Sequence, residues 1–486
     1  MALNAESIPM RWPAGPLDIA RGEKVKGFTA DTAEVLRKWQ DPASLAVVQG
    51  TPINCLVVSW AADAGQQEAL KPLIEKGKQA GLGFVGLIEG EANQAAAVAA
   101  AQSAGLAAVA MEGDAPGSAG VPVIPWNKAA QVRASASSPI LGVSDGVFPG
   151  LPQAASQAGG PTNLPWVDSN GAVLLIARAL APDKTVWVGF DPPPAAKLAA
   201  EAYVLAVADP TSYGARWVIS LDDQLRADLT AKTQPAADTW KRLVDTVAFF
   251  EQHKQFRSYQ PGGRLAVMSN FTGPDYEVGE ETVNLLPRLR EPCRVMARSR
   301  AASASFAGLE AIYYVDKEAP DAALRKKLMA FASGGGILFV PSKWPNPEGS
   351  PAPAEPYLLF NMRAVGKGRL AVCKEDRPDA YDTVADIQNI MSHRNDLLRL
   401  YNAPSANFLY ETSAQGKQGV IHLLNYSRRP GSDGPLFYVK EPHKSARLVS
   451  PEIASATELQ WAPQKAGGAE LSLPRLSVYG AIELEN

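Results

Sequence analysis

Residues 80–90, AGLGFVGLIEG, and residues 104–114, AGLAAVAMEGD, decide the fold. Each opens on an Ala-Gly-Leu stop, runs into a short apolar stretch and reaches a glutamate. Gly81 and Gly105 stand where a helix end favours a left-handed residue. The helical stretches Gln66–Gln79 and Ala92–Ser103 precede them. A helix, a glycine stop and an apolar strand, repeated, is the rhythm of a parallel sheet covered by helices.

Outward from this core the rhythm continues. The spacing predicts strands at Cys55–Trp60, Phe84–Ile88, Leu106–Met111, Val121–Pro125, Ile140–Ser144, Val186–Phe190 and Trp217–Leu221. An eighth comes from Ile8–Ile19, ahead of a helical Thr32–Gln40. Eight strands close a (β/α)8 TIM barrel; an open doubly wound sheet is the competing architecture. The barrel is expected to be irregular, because Val121–Pro125 carries two prolines and Phe148–Asn170 is a long connection. Long loops in compact domains are often functional.

After a helix at Ala236–Lys254, Pro261-Gly262-Gly263 marks a boundary. A Rossmann-like α/β pattern follows: strand Arg264–Ser269, helix Glu280–Arg290, strand Ala311–Val315, helix Ala322–Ala332, strand Ile337–Pro341 and helix Tyr381–Tyr401. From about Phe408 the apolar residues alternate with period two, which reads as a small antiparallel β-sandwich. The expected domains are 1–258, 259–403 and 404–486.

Composition narrows the function. A chain of 486 residues, 46% hydrophobic, is too long for one core. With 47 basic against 50 acidic residues and a net charge of -3, nothing electrostatic favours nucleic acid or an anionic membrane as partner. No apolar run is long enough to span a bilayer. The start, MALNAESIPM, lacks the pattern of a signal peptide and leaves the compartment open. Cys55, Cys293 and Cys373 are far apart and offer no disulfide framework or CxxC pair. His253, His393, His422 and His443 lack ligand spacing, so no metal is expected. Gly334-Gly335-Gly336 lies between a helix and a strand, the wrong order for cradling phosphate, and no cofactor is expected. Nucleophilic serine or cysteine chemistry finds no GxSxG elbow.

What remains is carboxylates. Glu89, Glu112, Asp145, Asp191 and Asp222 each follow an apolar strand, at the barrel edge where active sites gather. Two such acids, one protonated and one ionised, equip a barrel for glycoside hydrolysis. Acids after strands also cap the next helix. Counting from the N-terminal strand, Glu112 ends strand four and Asp191 strand seven. The glutamates of the two opening segments differ in offset by one residue, which would reverse the face of one of them. Eight of the ten tryptophans precede residue 256. Trp126 and Trp166 are expected as stacking walls for a sugar ring, while Trp187 and Trp217 fill the core. Asp145, Asp168, Asn170 and Asp222 are the expected partners of sugar hydroxyls.

The three-domain order resembles the family 42 β-galactosidases and related barrel glycosidases. The resemblance rests on Gly263–Trp344, with FAGLEAIYYVD and LRKKLMAFASGGGILFVPS, and on the C-terminal GVIHLLNYS. It implies a carbohydrate substrate and a middle, amidotransferase-like domain that mediates homo-oligomerisation. The family's acid/base glutamate and its nucleophile fall on Glu112 and Asp191. Here Met111 stands where the family has asparagine, and Asp191 where it has glutamate. The first reading is a glycoside hydrolase acting on oligo- or polysaccharide, with Glu112 as general acid/base and Asp191 as nucleophile or base; the departures support the alternative, a non-catalytic carbohydrate-binding or assembly protein with a degenerate barrel.

Overall fold

The computed structural model describes residues 3–90, 93–113, 120–132, 138–149, 167–352, 357–431 and 433–485. The chain forms two compact units, residues 1–157 with 181–254, and residues 158–180 with 255–486.

The first unit is built on eight parallel strands that neighbour one another in chain order: β1 Pro9–Arg11, β2 Cys55–Ser59, β3 Gly83–Ile88, β4 Ala108–Met111, β5 Val123–Asn127, β6 Ile140–Val143, β7 Thr185–Val188 and β8 Arg216–Trp217. The Arg11 amide donates to the Ile219 carbonyl (2.8 Å), and the Ile219 amide to Pro9 (3.0 Å), which joins the last strand to the first. The eighth strand expected from the N-terminus is therefore present, and the open sheet is excluded. Cys55, Val57, Val85, Leu87, Ala108, Ala110, Ile124, Ile140, Trp187 and Val218 pack as its core. The alternation is that of strands whose every second residue points inward. Alanines on β4 leave room for the fully buried Trp187. Burial pushes the Cys55 thiol up to about 12, so it stays protonated.

The outer helices form where their caps dictate. They are α1 Pro16–Gly22, α2 Ala30–Gln40, α3 Ala64–Gln79 and α4 Gln94–Ser103. Asp63 accepts the Gln66 amide to start α3 (2.7 Å), and Gly81 (φ +83°) and Gly105 (φ +65°) turn the chain out of α3 and α4. A helix not expected, α5 Gly171–Leu180, follows next in the chain and belongs to the second unit. Then come α6 Ala200–Ser212, α7 Asp223–Thr230 and α8 Gln234–Gln252.

In the second unit, β9 Gln260–Pro261 leads to β10 Leu265–Ser269, β11 Cys293–Ala297, β12 Ala311–Tyr314, β13 Ile337–Val340, β14 Ser350–Pro351, β15 Phe360–Val365 and β16 Gly368–Cys373. The last seven form one sheet in the order β11-β10-β12-β13-β16-β15-β14, parallel up to β16 and antiparallel beyond. Its helices are α9 Pro274–Arg288, α10 Ala322–Ser333 and α11 Ala380–Met391. The helix expected over Tyr381–Tyr401 stops at Met391. Ser392 takes φ +67°, Asp396 is drawn to Arg264 (2.8 Å), and Leu398–Tyr401 becomes strand β17. Strand β11 and the β15–β16 hairpin escape the sequence pattern because arginines interrupt their apolar runs.

The C-terminal strands make a sandwich. Besides β17 they are β18 Ala406–Thr412, β19 Gln418–Asn425, β20 Leu436–Val439, β21 Ser445–Val449, β22 Thr457–Glu458, β23 Ala462–Pro463, β24 Ala469–Ser472 and β25 Tyr479–Glu485. Leu400, Phe437 and Leu471 of the four-stranded sheet pack against Phe408, Ile421 and Ile482 of the six-stranded one. Helix α5 is held in this unit by Arg178, whose guanidinium meets the buried Glu411 at 2.7 Å.

Candidate functional site at the carboxyl ends of the barrel strands

Register settles which acids face inward. Strands β3 and β4 pair Val85 with Ala108 and Ile88 with Met111, one residue away from the alignment of the two opening segments. That shift cancels the offset between their glutamates. Val85, Leu87, Ala108 and Ala110 lie in the barrel core, so the same alternation carries Glu89 and Glu112 to the inner face of the rim. Glu112 is exposed, and among the described residues no cation pairs with it. The turn after it is held by Asn127, whose Oδ1 accepts the Gly113 amide at 3.0 Å.

Arg11 organises the opposite part of the rim. It pairs in register with Val57, a core residue, and is itself buried. Its Nε donates to Asp191 Oδ2 at 3.1 Å and its Nη2 to Asp18 Oδ1 and Ser59 Oγ, each at 2.7 Å. Burial opposes its charge, but Asp18, Asp191 and Glu89 outweigh that and raise its pKa further. Ser59 donates to Asp18 Oδ1 (2.7 Å) and accepts from Arg21 Nη1 (2.9 Å). Arg21 Nη2 in turn meets Glu89 Oε2 at 2.8 Å. A continuous chain therefore runs Asp191–Arg11–Ser59–Arg21–Glu89, braced from α1 by Asp18.

Trp126 completes the floor. It packs half-buried on the core, with its indole against two glycines. A Cβ on Gly142 would fall 2.0 Å from Trp126 Cε3, and one on Gly189 2.5 Å from Cζ2. The ring thus extends from β5 across the ends of β6 and β7, two residues before Asp191.

No family model matches the chain, and no curated protein matches it. Its fold is similar to that of α-L-fucosidase isoenzyme 2 from Paenibacillus thiaminolyticus, with TM-score 0.60 and 10% identity over 98% of this chain and 99% of that one. The likeness is one of fold. The rhamnosidase from Novosphingobium sp. PP1Y (TM-score 0.47, 12% identity, 87% of this chain and 39% of that one) also matches. So does a β-galactosidase from Rahnella sp. R3 (TM-score 0.41, 9% identity, 96% and 69%).

Not every residue expected at the site reaches it. Asp222 is spent on structure: Oδ1 accepts the Leu225 amide (2.8 Å) as the cap of α7, and Oδ2 accepts the Leu198 amide (3.0 Å) and the Tyr203 hydroxyl (2.7 Å). Asp145 accepts the Ala129 amide at 2.8 Å, a cap between neighbouring rim segments. Asp168 and Asn170 belong to the second unit, where the Asn170 carbonyl receives the Leu174 amide at the start of α5. Trp166 lies outside the described residues. Among the described residues no three His, Cys, Asp or Glu side chains gather as a metal requires, and no helix is long and apolar enough to cross a membrane. The sequence pattern missed Arg11, Asp18 and Arg21. One signal was available: an arginine closing an otherwise apolar strand, with an acid seven residues on.

Proposed function

We propose that the barrel is a glycoside hydrolase acting on oligo- or polysaccharide, with Glu112 as general acid/base and Asp191 as nucleophile or base. The observation that carries this reading is the contrast between the two carboxylates on one rim. Asp191 is paired with a buried guanidinium, whereas Glu112 has no cation among the described residues. That division of environments is what cleavage of a glycosidic bond asks of an acid pair. Trp126 supplies an apolar platform between them for a sugar ring. Oligomerisation through residues 259–403 is part of the proposal and is checked by sedimentation.

The test is turnover of a panel of aryl glycosides by the full chain. Glu112→Gln and Asp191→Asn should each lower kcat/KM at least about a hundredfold. Unchanged turnover in either variant would refute the assignment. The second reading, a sugar-binding barrel without catalysis, draws on the arginine pairing of Glu89 and Asp191, which neutralises two of the three inward acids. It gains if sugars raise the Tm while no glycoside is cleaved.

A further inference from the structure

The Arg21–Glu89 pair has more hydrogen-bonding capacity than the barrel uses. Arg21 is anchored at one end only, by Ser59 Oγ (2.9 Å) beside Asp18 (3.9 Å). Its outer nitrogen meets Glu89 Oε2, and its remaining N–H groups reach no acceptor among the described residues. Glu89 Oε1 likewise accepts nothing among the described residues. The two side chains are 34% and 52% exposed, and a pair that open to water contributes little to stability. Yet the guanidinium is held in place by the fully buried Ser59, and Glu89 lies on the inner face beside Glu112.

We propose that Arg21 and Glu89 form a clamp for two adjacent hydroxyls of a neutral sugar, which deepens the carbohydrate reading of the rim and rests on it. Each hydroxyl both donates and accepts, so a vicinal diol can give one proton to Glu89 Oε1 while the neighbouring oxygen accepts from Arg21. Hydrogen bonds to charged groups are the stronger kind, and a site built on them discriminates against an analogue lacking one hydroxyl. Glu89 is thereby a specificity-determining residue, distinct in role from the acid pair.

The test uses the full chain with a panel of neutral hexoses and pentoses and their matched deoxy sugars, followed by NMR titration. Glu89→Gln should bind the preferred intact sugar about tenfold or more weakly than the wild type. The wild type should bind the matching deoxy sugar about as weakly as Glu89→Gln binds the intact one, and the variant should no longer tell the two apart. Arg21→Met, as a second variant, should lose the same discrimination, and an unchanged Tm for Glu89→Gln certifies its fold. If the sugars bind and Glu89→Gln keeps both affinity and discrimination, the clamp is wrong and the carbohydrate reading stands. If the wild type binds no sugar of the panel, both fall.

Discussion

Arg11→Met tests the organisation of the rim. The guanidinium and the Asp18 carboxylate are 6% and 7% exposed, whereas Asp191 is 56% exposed. Removing the arginine leaves the buried Asp18 with only Arg21, 3.9 Å away, as a cation, and breaking a buried pair costs about 3–5 kcal/mol. Asp18 keeps the Ser59 hydroxyl and the Ala14 amide as donors, so the lower end, about 3 kcal/mol, is expected. For a unit of this size that lowers Tm by roughly 6–12 °C. Asp191→Asn removes an ion pair whose acid is largely in water and should cost less than about 1 kcal/mol. Thermal and urea unfolding of the full chain measure both. The double variant Arg11→Met/Asp18→Asn should recover part of the loss, because the buried charge is gone. Equal destabilisation by Arg11→Met and Asp191→Asn, or no recovery in the double variant, would refute the reasoning.

Three further outcomes follow from named contacts. Gly142→Ala places a methyl on the Trp126 ring and should shift tryptophan fluorescence and cost about 1–3 kcal/mol; an unaltered spectrum means that the ring does not occupy that space. Asp222→Ala strips three donors of their acceptor and should destabilise by about 2–4 kcal/mol, with sugar affinity unchanged; a large loss of affinity at unchanged stability would return Asp222 to the site. In the second unit, burial pushes the Glu291 carboxyl up to about 7 against the pull of Arg264, with Asp396 and Glu310 adding to the rise. A carboxyl raised on folding contributes stability that is complete below its ordinary value and is lost as pH climbs through 7, so wild-type stability should fall between about pH 4.5 and pH 7 relative to Glu291→Gln and level off above that. Parallel urea-unfolding curves for the two proteins across that window would remove this account.

The barrel was legible because its signals are local. Gly81 and Gly105 end helices wherever the rest of the chain goes, and an apolar run between such stops has one stable place in a parallel sheet. Even the short β1 could be inferred, since seven strands do not close. Helix α5 was not legible, because its apolar run resembles a buried strand and its partners, among them Glu411, are remote in sequence. The candidate site was half legible: acids after strands are visible in the chain, but acids that cap a segment and acids left at the rim look alike there. Asp145 and Asp222 were separated from Asp191 only by what each carboxylate touches.

The glutamates of AGLGFVGLIEG and AGLAAVAMEGD show where the division lies. The sequence by itself determined that each segment is a helix stop followed by a strand and an acid, since backbone conformation and apolar runs are properties of neighbouring residues. Whether both acids face inward depended on the register between β3 and β4, a one-residue slip that no local propensity encodes. Which of the rim acids carries an arginine depended on Arg11 and Arg21 arriving from the first strand and the helix after it, remote in sequence from Asp191 and Glu89. Charge pairing acts through space, and only the closed tertiary structure brings those groups within a few ångströms.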